Sequence, residues 1–134
     1  ILHLIIRDEA RHVTFGVNYL EDFIENLTDE EREDRAMFAY EACVISKERL
    51  FPTDVFRKFG WDEAEARDFS NKAGFATEFQ RLLFSRVVPN LSRIGLLTDK
   101  VRPLYEELGV LEFESHTSDD ISWAELEKPL DLTA

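Results

Sequence analysis

Glu9 and His12 stand three residues apart in Arg7-Asp8-Glu9-Ala10-Arg11-His12, so a helix through them sets a carboxylate and an imidazole one turn apart on one side. At ~100° per residue that side also carries Leu2, Ile5, Ile6, Val13, Gly16, Tyr19, Leu20, Phe23, Ile24 and Leu27. Only Glu9 and His12 in this set ionise near neutrality. Arg7, Arg11, Thr14, Asn18, Glu21 and Glu25 fall on the opposite side, as expected of a surface facing solvent or a partner. A buried carboxylate without a counter-charge is strongly disfavoured, so Glu9 needs a strong partner. A metal ion is one, and it would also accept the His12 imidazole. Two structural alternatives stand beside it: Glu9 and His12 hydrogen-bond each other across the turn, or Glu9 meets an arginine from a neighbouring helix.

The string Asp8-Glu9-Ala10-Arg11-His12, followed by Phe15 and Gly16, resembles the last metal-bearing helix of ferritin-like di-iron proteins, in their ribonucleotide-reductase-R2-like and oxidase branch. Such proteins place a Glu-x-x-His on each of two helices and a lone Glu on each of two more, all projecting into a four-helix bundle. The resemblance implies Glu9 and His12 as metal ligands. It implies for Asp8, at the edge of the apolar stripe, the role of holding a ligand histidine of another helix. The implied cofactor is a pair of iron ions, or manganese with iron, shared with ligands that this chain does not contain. The implied fold is all-α, a partial ferritin-like bundle lacking its N-terminal ligand helices. The implied activity is that of a non-haem oxidase or oxygenase that activates O₂ on a small-molecule substrate. The match is specific over residues 5–16 and architectural beyond them.

The remaining histidines do not extend the set. His3 falls on the polar side of the first helix, and His116 sits in an acidic, turn-like stretch. No second Glu-x-x-His occurs. The chain opens without Met and already inside a helical pattern, so the expectation is a C-terminal piece of a longer protein. A missing N-terminal half or a second chain would complete the site, in a homo-oligomer, and without those partners the first helix would expose its apolar stripe. The alternatives are a metal-free helical module acting through protein association, and a ferroxidase or iron-storage relative. The long helical stretch after the ligand pair argues against the storage form.

The 134 residues suffice for one domain. A net charge of −12, from 16 basic and 28 acidic residues, argues against nucleic acid as a partner. The opening apolar run is too short to span a membrane or act as a signal peptide. The single Cys43, among Ala42, Val44 and Ile45, reads as an inert core thiol and fits a reducing, cytoplasmic setting.

The first helix is expected to reach about Asn26. Thr28-Asp29-Glu30-Glu31 has the form of a capping box, opening a second helix over residues 29–50 that Pro52 ends. Glu41 lacks a metal-binding neighbour and reads as exposed or ion-paired. A short helix over residues 53–59 ends at Gly60. Asp62-Glu63-Ala64-Glu65 caps a long helix carrying Phe69, Ala73, Ala76, Phe79, Leu83 and Val87, and Pro89 breaks or restarts it. Asn90 to Leu97 reads as a further helical turn or two, and Thr98 is expected to cap a last helix ending at Gly109. The domain reading is a helical segment over 1–109 and an acidic, mostly irregular tail over 110–134. In that tail residues 110–113 lie extended, and Ile121, Trp123 and Leu126 serve as anchors.

Overall fold

The computed structural model describes residues 2–51 and 53–118, with side chains for residues 11–51, 53–74 and 76–118. The expected end of the second helix at Pro52 and the anchors Ile121, Trp123 and Leu126 lie outside the described residues. Every described element is helical: α1 (Leu2–Glu25), α2 (Asp29–Glu48), α3 (Thr53–Lys58), α4 (Glu63–Ala73), α5 (Phe75–Arg93), α6 (Arg102–Glu107) and a 3₁₀ turn over Leu111–Ser115. No helix among the described residues is long and apolar enough to cross a membrane.

The polar punctuation acts where the sequence places it. The Thr28 hydroxyl accepts from the Glu31 backbone N–H, and the Glu31 carboxylate accepts from the Thr28 N–H at 2.9 Å, so both halves of the box are formed. Asp62 likewise accepts from the Glu65 N–H at 2.9 Å and opens α4.

The break falls at Gly74 and not at the expected Pro89. The long helix expected from residue 63 onward is two helices, because Gly74 adopts φ +72°, a left-handed conformation that ends α4 and starts α5. Pro89 lies inside α5 and does not break it. The missing N–H leaves the Ser85 carbonyl without its helical donor. Packing outweighs that loss, since Phe84 and Val88 on the same helix are 1% and 0% exposed. Thr98 does not cap the last helix either. Its hydroxyl donates to the Glu33 carboxylate at 2.9 Å, and α6 begins only at Arg102.

The core forms where one narrow side of α2 (Ala36, Cys43) meets α5 (Phe84, Val88), the connection Ile94–Leu97–Val101, and Tyr105 of α6. Tyr105 is completely buried, its ring set edge-on to Tyr40 at 5.5 Å and its hydroxyl 3.8 Å from the Cys43 sulfur. Burial raises the Cys43 thiol pKa, with the Tyr105 hydroxyl partly opposing it, so the thiol is protonated and inert, as its neighbours imply. Lys47 of α2 donates to the Leu108 carbonyl and so ties α2 to the C-terminal end of α6. Glu41 is exposed, in agreement with its sequence context.

Residues 110–113 do not lie extended. Val110 and Phe113 are 3% and 9% exposed, and the 3₁₀ turn packs against α5 and α6. Glu114 locks the turn: its carboxylate accepts two bonds from the Arg102 guanidinium, at 2.5 and 2.6 Å, and one from the Ser92 hydroxyl at 3.2 Å. These bonds, that from Arg102 foremost, hold the Glu114 carboxyl below its ordinary range. A group whose folded pKa is depressed contributes stability above its unfolded pKa, about 4.3 for Glu, and loses it as pH falls through the lower folded value. Glu114→Gln should therefore cost about 1 kcal/mol at neutral pH, allowing for solvent screening of this partly exposed pair. It should also flatten acid unfolding below pH ~4.3, as read by circular dichroism.

Candidate functional site on α1

One continuous helix carries the whole Glu9–His12 stretch, so by register Glu9 stands one turn before His12. The side chains of His3, Asp8 and Glu9 lie outside the described residues. The His12 side chain is exposed.

The orientation of α1 decides what surrounds His12. Thr14, Val17, Asn18 and Ile24 are 1%, 8%, 4% and 3% exposed, so they face the rest of the chain. The fastening is polar: Arg93 at the end of α5 donates to the Asn18 side-chain oxygen at 2.8 Å and to the Glu21 carboxylate at 2.8 and 3.4 Å. Arg32 reaches the Ile24 carbonyl from α2 at 3.5 Å. The side expected to meet solvent or a partner is therefore largely the side that packs on the chain's own α2 and α5. Asn18 can be buried because a buried amide satisfied by a guanidinium is inexpensive, and Arg93 supplies that donor.

The middle of the apolar stripe is left uncovered, while its last residues, Ile24 and Leu27, pack on the core. Val13, Phe15, Tyr19, Leu20 and Phe23 are 48%, 55%, 59%, 41% and 48% exposed, and Gly16 has open space where a Cβ would stand. His12 opens onto this stripe. A contiguous apolar surface of this kind marks an interaction site. At tens of micromolar the isolated chain should self-associate through Tyr19, Leu20 and Phe23, and Leu20→Glu with Phe23→Glu should return it to monomer. Sedimentation showing a monomeric wild type would contradict this.

The donors present are a carboxylate and an imidazole at helical spacing, types that suit iron or manganese. Among the described residues no group of three or more His, Cys, Asp or Glu side chains is placed to hold a metal ion. His116 packs edge-on against Phe113 at 5.3 Å and stands at a cleft beside α5, in keeping with its exclusion from the α1 site.

Comparison with protein-family models, with curated proteins and with solved structures gives no match for this chain. Two features of consequence had no usable sign in the sequence. The Arg93 clasp spans more than seventy positions. An aromatic cleft between α3 and α4 draws on Phe56, Trp61 and Phe69, whose types alone suit a core equally well.

Proposed function

We propose that α1 brings Glu9 and His12 to a carboxylate- and imidazole-bound pair of iron ions, or manganese with iron, in an O₂-activating oxidase or oxygenase of the R2-like kind. The remaining ligands come from helices that cover the open stripe of α1, in the same polypeptide or in a second chain. The observation that carries this reading is the uncovered apolar face around His12. A face that bears metal ligands must meet other ligand-bearing helices, and α2 and α5 hold α1 through Asn18, Glu21 and Ile24, away from Tyr19 and Phe23.

Each residue has a distinct part. His12 offers a neutral ring nitrogen, and a hydrogen bond at its other nitrogen would fix the ring. Glu9 offers two oxygens that bridge or chelate. Asp8 holds a ligand histidine from a facing helix. Phe15, Tyr19 and Phe23, once covered, exclude water from the site. The metal pair, when bound, supplies binding and reduction of O₂. Elemental analysis tests the reading: the protein with its complete ligand set should hold close to two iron or manganese ions per chain, and the 134-residue chain alone should bind them weakly. Tight stoichiometric metal on the isolated monomer would sink it.

A second reading is a metal-free helical module that acts by association through the same stripe. It is favoured by the exposed Val13, Tyr19, Leu20 and Phe23, which suit a protein partner without any metal. It requires that Glu9 and His12 be satisfied by protein groups alone.

A further inference from the structure

The α3–α4 hairpin buries none of its described residues. It nevertheless gathers aromatic rings at the surface: Phe59, Trp61 and Phe69 are 70%, 59% and 75% exposed. Its helices have 6 and 11 residues, below the roughly 12–15 at which an isolated helix becomes even marginally stable in water. Two links hold it. Arg57 bonds Asp54 at 3.1 Å and Glu63 at 2.6 Å, and Arg67 lies 4.8 Å over the Phe51 ring. Neither covers the aromatic side.

That side is a cleft of about 730 Å³. Trp61 stacks with Phe56, ring centres 5.9 Å apart, and closes one wall. Ala66, Phe69 and Ala73 of α4 form the floor at three- and four-residue spacing, so the floor runs along about two turns of α4, roughly 10 Å at 1.5 Å per residue. The small alanines on either side of Phe69 let another backbone approach. Asp62 and Glu65, at the end where α4 begins, are the only charged residues lining the cleft among the described residues, and both are acids.

We propose that this cleft docks an amphipathic helix of a partner protein, about two turns of which meet the floor. That helix presents apolar residues at i, i+3 or i+4, and i+7, with a lysine or arginine against Asp62 and Glu65. Spacing and charge select this occupant. The floor sets Ala66, Phe69 and Ala73 at helical spacing, the ridge pattern into which a second helix packs. A second copy of a chain with net charge −12, or an anionic lipid surface, would meet the acidic rim with like charge.

The test is a phage-displayed library of random helical peptides, selected on the 134-residue protein at physiological salt. The expected result is enrichment of peptides with that apolar spacing and a basic residue, which shift Trp61 emission when bound. Phe69→Glu should weaken them at least about tenfold. Glu65→Lys, also on the surface, should weaken them too and shift preference toward peptides with an acid at the same place. Both side chains are exposed, so far-ultraviolet circular dichroism should be unchanged, and Glu65→Lys decides the matter if Phe69→Glu does not fold. No enrichment, enriched peptides without a basic residue, or equal binding to both variants would overturn the proposal. So would a wild-type dimer that Phe69→Glu alone turns into monomer, which would assign the cleft to self-association.

Discussion

Glu9→Ala in the metal-loaded protein should reduce O₂ consumption to background and lower bound metal well below two ions per chain, while the helical content of the metal-free form is retained. The size of the effect follows from the small donor set. If Glu9 is a ligand, its place in the register has no substitute, because positions 13 and 16, which follow on the same face, are Val and Gly. Retained folding follows from electrostatics. A carboxylate buried without its metal is unfavourable, and its removal relieves that cost. His12→Ala should act in the same direction. Oxygen-electrode rates and elemental analysis on the same preparations measure both quantities.

Tyr105→Ala should cost about 4 kcal/mol of stability, the range for truncating a large aromatic in a filled core. A small domain has only about 5–15 kcal/mol in total, so the variant should be largely unfolded near physiological temperature. Tyr105 is completely buried, touches Tyr40 and Cys43 of α2, and stands between α6 and the 3₁₀ turn that follows it. Burial also raises its hydroxyl pKa, with Cys43 and Tyr40 contributing, so it stays neutral wherever the protein is folded. Tyr105→Phe should cost only about 1 kcal/mol, because a weak hydroxyl–sulfur contact is all it removes. Urea unfolding of the two variants separates packing from hydrogen bonding.

Local signals in the chain were legible wherever the competing choices were local. The Thr28 and Asp62 capping boxes are both read from residues three apart; the first forms both of its bonds and the second the Asp62 half. The end of α1 near Asn26 is likewise set by the polar residues just before Thr28. Gly74 and Pro89 mark the limit of such rules. Each is a helix breaker in isolation, and Gly74 breaks because it takes positive φ, whereas Pro89 is held in register by buried neighbours whose partners are far away in sequence.

The orientation of α1 was legible only in part. Its apolar stripe was visible, with the expectation that it would lie open without partners; Val13, Tyr19, Leu20 and Phe23 do lie open, whereas Ile24 and Leu27 pack on the core. That the opposite face would pack on α5 was not visible, because Asn18 and Glu21 read as solvent-facing until Arg93 is brought to them. For the candidate site, the types and helical register of Glu9 and His12 are plain from the sequence. The helices that would complete their coordination are not among those described.

One thermal-melting experiment separates Glu9 as a metal ligand from Glu9 as half of a structural ion pair. Wild type and Glu9→Ala are melted with and without a chelator. If Glu9 binds metal, the chelator lowers the wild-type melting temperature toward or below that of the mutant, while the mutant scarcely responds. If Glu9 instead neutralises a buried cation, the mutation strands that partner, and the variant should be about 3–5 kcal/mol less stable than wild type even in chelator. That result would contradict the di-metal assignment.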